Sequence, residues 1–187
     1  MYKNIFITGP PGSGKSTLLM DIVKELEKRG IRVRGIICPE IRRGKYRWGF
    51  KVIVYPDGQE EILASVEIKH GPRVSKYRVN INGFERVGVR ALQDSLEDPK
   101  IQVLLIDEIG KMELFSNKFR NIVIKILNSN KIVLGVLGRT SDPIVSRIKS
   151  RKDVLIIDLS YDTAHQQKDS IKKRIVSDIV SMLSTPY

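Results

Sequence analysis

Eight consecutive residues, Gly9-Pro10-Pro11-Gly12-Ser13-Gly14-Lys15-Ser16, have the spacing G-x-x-x-x-G-K-[ST] and directly follow the apolar run Ile5-Phe6-Ile7. The chemistry this suits is phosphate binding. A loop poor in side chains lets successive backbone N–H groups curl around phosphate oxygens, and Gly9, Gly12 and Gly14 supply that freedom. Lys15 adds a point charge toward the β- and γ-phosphates, Ser16 offers a hydroxyl to Mg²⁺, and the helix expected next turns its positive end toward the anion.

A second constellation lies nearly a hundred residues on. Val103-Leu104-Leu105-Ile106-Asp107-Glu108 reads as an apolar strand ending in two acids, and in open α/β sheets ligands sit at the carboxyl ends of strands. Asp107 is placed to hold Mg²⁺ beside the phosphate loop. Side chains alternate along a strand, so Glu108 points elsewhere and is placed to polarise a water for in-line attack. The catalytic candidates are therefore Glu108 and Lys15, and the metal candidates Ser16 and Asp107.

The elements that must carry these residues follow from periodicity. Leu18, Leu19, Ile22, Val23 and Leu26 recur at helical spacing and Gly30 stops the helix; Ile31 to Cys38 reads as a buried strand, with Cys38 a small core residue at its end. Phe50 to Tyr55 and Glu61 to Val66 read as a hairpin around Pro56-Asp57-Gly58, part of an inserted β-rich segment at about 44–81. Tyr77 to Ile81 is a further short strand, and Gly83 to Leu96 a helix. From Ile101 the pattern is regular: strands at 101–106, 132–137 and 154–159 alternate with helices at 119–127, 141–149 and a last one reaching Leu183. Such alternation predicts one α/β domain over residues 1–187, a mostly parallel sheet with helices on both faces and a β-hairpin insertion.

Composition narrows the possible roles. The chain has 187 residues, a formal charge of +12 and a pI near 9.9, so polyanions are its natural partners: nucleotides, nucleic acid or acidic surfaces. Cys38 is the only cysteine and His70 and His165 the only histidines, which leaves no Cys/His cluster for zinc or a Cys-His pair. No stretch approaches the roughly 18 apolar residues of a membrane span, and the expectation is a soluble, cytoplasmic protein without a membrane partner.

With both constellations in view, the stretch Ile106-Asp107-Glu108-Ile109-Gly110-Lys111-Met112-Glu113-Leu114 and the phosphate loop resemble the small P-loop nucleoside-triphosphatases known from thermophiles and from a cancer-related homologue. Glu40-Ile41-Arg42-Arg43-Gly44, Gly49-Phe50, Lys76-Tyr77-Arg78-Val79-Asn80 and Phe84-Glu85 resemble further segments of that family, over residues 1 to about 160. The resemblance implies a RecA-like core, Mg²⁺ as cofactor, and slow hydrolysis of several NTPs to NDP and phosphate with little base discrimination. Nucleotide contacts are then expected from Gly9, Pro10, Pro11, Gly12, Ser13, Gly14, Lys15, Ser16 and Thr17, and from Leu104, Leu105, Ile106, Asp107, Glu108, Ile109, Gly110 and Lys111. Two places depart from the family pattern. Ser75 stands where glycine is common, and Ser160 to Asp169 replaces an Asn-Arg-Asp run that could approach the base.

Arg42, Arg43, Lys45, Arg47 and Lys51 bring five cations and no acid into ten positions, interleaved with Tyr46, Trp48 and Phe50. Three readings stay open: phosphate contact by Arg42, Arg43 or Arg47, single-stranded nucleic-acid binding by stacking and charge, or a charged hairpin edge. Arg139 and Arg147 are weaker candidates for phosphate contact, and Lys111 and Glu113 either tune the metal site or pair with each other. Two other functions compete with the triphosphatase: a small nucleotide or polynucleotide kinase, and a nucleic-acid-binding module with a secondary ATPase.

Overall fold

The run Ile5-Phe6-Ile7 lies within β1 (Asn4–Thr8), buried at every position. The computed structural model describes residues 2–160, 162–163 and 165–184. Past the glycine loop comes α1 (Lys15–Lys28), whose buried residues are the five apolar positions expected from spacing; Gly30, at φ +76°, follows its end. β2 (Val33–Ile37) is shorter than the expected 31–38 span, with Cys38 just beyond it.

The inserted segment begins earlier than sequence indicated. β3 (Glu40–Arg43) turns at Gly44, whose φ of +60° suits glycine, into β4 (Tyr46–Tyr55). β4 then pairs with β5 (Glu60–Ser65) in the expected hairpin. β6 (Arg73–Val74) and β7 (Tyr77–Val79) form a second, tighter hairpin, and Ser75 sits in its turn at φ +54°. This accounts for the usual glycine at that position: the turn needs a left-handed residue, which costs a side chain roughly 1–2 kcal/mol. The expected single helix at 83–96 is a continuous helical segment of three parts: α2 (Ile81–Phe84), capped by the Asn80 side chain, a wide π-type turn over Glu85–Val89, and α3 (Arg90–Glu97).

The second half follows the predicted alternation. β8 (Val103–Ile109) leads through a short turn at Glu113–Phe115 into α4 (Asn117–Asn128), then β9 (Ile132–Leu137), α5 (Pro143–Lys149), β10 (Val154–Asp158) and α6 (His165–Ser184). All ten strands join one sheet in the order β10-β1-β9-β8-β2-β4-β5-β7-β6, with β3 beside β4. The first five are parallel neighbours; from β2 to β4 onward the pairing is antiparallel, so the insertion is a direct extension of the core sheet.

Alternation along the central strands divides the core in two. Ile5, Ile7, Val103, Leu105, Leu134 and Val136 face α1 and α6, while Phe6, Leu104, Ile106 and Val133 face the helices on the other side, including α4. Parallel strands buried on both faces need such continuous apolar runs. The result is a rigid floor whose carboxyl ends carry the loops after β1, β8 and β9.

Candidate active site

The phosphate loop is organised around one carbonyl. Pro10 O accepts from the Ser13 amide at 3.2 Å, the Ser13 hydroxyl at 2.8 Å and Lys15 Nζ at 2.8 Å. Gly9 packs so closely that a Cβ there would stand 2.5 Å from Leu159 O, and its φ is +153°. Both requirements exclude a side chain. α1 starts at Lys15 with no acid in its first turn, which leaves its positive end free for an anion. Ser16 and Thr17 are exposed there.

Asp107 ends the buried stretch of β8 at 6% exposure, and Ser16 Oγ donates to its Oδ1 at 3.3 Å. Burial, with the neighbouring Glu108 charge, pushes the Asp107 carboxyl up to about 6 against the opposing pull of Ser16 and Lys15. A buried carboxylate beside a hydroxyl is a hard-oxygen pair suited to Mg²⁺, which normally keeps several waters and substrate phosphates as its other ligands. Among the described residues no group of three or more His, Cys, Asp or Glu could hold a metal ion.

Glu108 takes the other direction. With Gly9, Pro11 and Lys15 it lines a cavity of about 340 Å³, which Arg47, Phe50 and Arg139 also line. Its Oε1 lies against two glycines: a Cβ on Gly110 would come within 2.8 Å of it and one on Gly138 within 2.7 Å. Burial raises the Glu108 carboxyl, and Lys15 opposes the rise.

The expected residues are placed unevenly. Leu104, Leu105, Ile106 and Ile109 are fully buried on β8, where they flank Asp107 and Glu108. Arg47 lines the cavity, but Arg42 and Arg43 do not. Arg42 is held by Glu40 on its own strand at 2.5 Å, and Arg43 by Glu67 at 2.8 Å while lying over the Trp48 ring. Arg47 itself pairs with Glu40 at 2.5 Å. Arg139 pairs with Asp158 at the cavity rim, whereas Arg147 is exposed on α5. Lys111 and Glu113 form no ion pair with each other among the described residues: Lys111 is exposed and Glu113 turns inward to 5% exposure. Cys38, expected in the core, does pack against the core cluster, but it is partly exposed and also borders the cavity, one residue beyond β2. Tyr161 and Ala164, in the segment that departs from the family, lie outside the described residues.

Sequence reasoning missed one residue and left the role of another open. Lys168 of α6 reaches back to Ser13, a contact with no local signature. Glu113 is the other: burial, then the Glu108 charge, pushes its carboxyl up to about 8. A raised folded value means that folding retains a proton the unfolded chain releases. This contribution to stability is complete below the ordinary glutamate value and is lost as pH rises toward 8. Glu113→Gln keeps the neutral form at every pH. The variant is expected to match wild type at pH 4 and to melt several degrees higher at pH 8.5 without ligand, since every tenfold gain in proton affinity on folding is worth about 1.4 kcal/mol. A difference in melting temperature that does not change with pH would show that Glu113 folds ionised.

A glycine loop at the end of β1, a buried aspartate beside its serine and a glutamate facing the cavity define a P-loop nucleotide-binding protein of the α/β class. The NTPase family profile matches residues 4–176, and the chain belongs to that family. It is 40% identical over 173 residues to nucleoside-triphosphatase THEP1 of Thermotoga maritima, covering 92% of this chain and 93% of that one. With the protein of the same name from Ignicoccus hospitalis it shares 45% identity over 130 residues, 70% of this chain and 72% of that one. Among solved structures, THEP1 from the hyperthermophile Aquifex aeolicus superimposes with a TM-score of 0.77 at 32% identity, covering 94% of this chain and 98% of that one. A human cancer-related nucleoside triphosphatase gives a TM-score of 0.76 at 31% identity, covering 99% of both chains.

Proposed function

We propose that this chain is a Mg²⁺-dependent nucleoside-triphosphatase that converts ATP, GTP, CTP and UTP to the diphosphate and phosphate. The observation that carries the reading is the Glu108 carboxylate in the cavity with Lys15, on the strand whose preceding residue, Asp107, meets Ser16. The names of the relatives, each a nucleoside-triphosphatase, support the same reaction.

The loop amides and Lys15 bind the phosphates, and Lys15 balances charge that grows on the transferring phosphoryl group. Glu108, raised by burial toward working pH, accepts the proton of the attacking water. Ser16 and Asp107 would hold Mg²⁺, which would supply charge neutralisation at the phosphates. Arg47 and Arg139 bring two cations to the cavity's lining, held in check by an acid at 2.5 and 2.8 Å respectively until a more strongly charged phosphate competes for them.

The test is product analysis with each NTP, with Mg²⁺ or with EDTA, and with or without single-stranded RNA. Expected are equal amounts of NDP and phosphate from all four substrates, loss of turnover in EDTA, and no dependence on RNA. Phosphate that appears only on an added hydroxyl acceptor would make the protein a kinase. Turnover only with RNA would make it a nucleic-acid-dependent ATPase.

A further inference from the structure

The start of α6 falls in the segment where the chain departs from its family pattern. Its first turn contains no acid, so Lys168 places a cation where the helix dipole disfavours one. Nor is that charge spent on a carboxylate. The basic neighbours Lys172 and Arg174 pair with Asp169 and Asp178 at 3.5 and 3.8 Å, whereas Lys168 takes part in no ion pair among the described residues. Its Nζ donates instead to Ser13 O at 3.0 Å, and a Cβ on Gly14 would come within 3.0 Å of Nζ and 3.9 Å of Cε. The side chain thus lies along the outer edge of the phosphate loop, half-buried.

Its position is fixed from below. Ile175, Val176 and Ile179 of α6 share one core cluster with Leu19, Ile22 and Val23 of α1, so the two helices bracketing the loop are packed together. The sheet order decides which part of a nucleotide would meet Lys168. β8, bearing Asp107 and Glu108, and β10, leading into α6, lie on opposite sides of β1. The reacting end of the triphosphate belongs on the β8 side, beside Ser16, Asp107 and Glu108. A nucleotide extended across the loop therefore carries its sugar and base toward the β10 side, where Lys168 stands.

We propose that Lys168 is a nucleotide-positioning residue for the nucleoside end of the substrate. An ammonium has three donors; Ser13 O takes one, and the others are free for ribose oxygens. The hydrocarbon stem offers an apolar surface on which a base can lie whatever its hydrogen-bonding edge. Contacts to ribose and to a base face are common to all four nucleotides, so Lys168 adds affinity without base choice. This inference rests on the nucleoside-triphosphate reading given above.

The experiment is calorimetric binding of ATP, GTP, CTP, UTP and inorganic tripolyphosphate, each with Mg²⁺, to wild type, Lys168→Met and Lys168→Arg, with steady-state kinetics alongside. Lys168→Met is expected to weaken all four nucleotides about tenfold, equivalent to about 1.4 kcal/mol, and to raise KM with little change in kcat. Tripolyphosphate, which has neither ribose nor base, should bind as before, and Lys168→Arg should recover most of the loss. Equal loss of tripolyphosphate affinity would overturn the proposal, because Lys168 would then only brace the loop. So would unchanged nucleotide binding, or a loss confined to one base. If wild type bound no nucleotide at all, the failure would belong to the underlying triphosphatase reading.

Discussion

Glu108→Gln is expected to lower the rate of phosphate release at least about a hundredfold, the lower range for a positioned general base, while nucleotide affinity stays close to wild type. Glutamine keeps the shape and the neighbours of the glutamate, including the tight seat against Gly110 and Gly138. It cannot accept a proton from water. It also removes a negative charge that opposes phosphate entry, so affinity has no reason to fall. Rapid-quench release of phosphate, measured beside the Kd of a fluorescent nucleotide, separates the two effects. Parallel loss of binding and turnover would mean that Glu108 holds the site together; retained turnover would move the base elsewhere.

The second large effect is expected from Lys15→Ala, at least about tenfold in nucleotide affinity and about a hundredfold or more in turnover. Lys15 is the loop's own cation, held at Pro10 O and poised to exchange that carbonyl for phosphate oxygens. It is also the charge that restrains both carboxyls of the site, lowering Asp107 and Glu108 against the upward push of burial. Its removal therefore has a second signature. Both groups hold their protons to higher pH, and the acid limb of whatever activity remains moves upward. A kinetic pH profile of the variant reads this directly; an unmoved acid limb would mean that Lys15 does not govern the protonation of these groups.

Local patterns revealed the centre of the molecule well. The glycine loop and its flanking strand and helix, the strand ending in Asp107 and Glu108, and the alternation after Ile101 are each encoded within a short window, and the structure places them together. The family and fold expected from those residues are the ones its relatives share. What escaped was set at a distance. β3 is a short, mostly exposed strand with no apolar alternation, defined only by its pairing with β4. Arg42, Arg43 and Arg47 look alike in sequence, and only the folded insertion shows that Arg47 alone of the three lines the cavity. Glu113 reads from sequence either as tuning the metal site or as a partner for Lys111, and only the turn after β8 shows it folded inward. Lys168 meets its partner across 155 residues.

The order of strands also sets a timetable for the chain as it is made. Among the described strands β1, which opens into the phosphate loop, pairs only with β9 and β10, both made after the rest of the sheet. The antiparallel extension between Glu40 and Val79 is built mainly from near neighbours and can assemble while the rest is still emerging. On the ribosome, β1 must wait until Ile132 and then Val154 have emerged, and a chain halted before Val154 still lacks one wall of its nucleotide loop. Such distant pairing is slow to form, and the waiting strand, apolar on both faces, is the part of the nascent protein most in need of protection from aggregation.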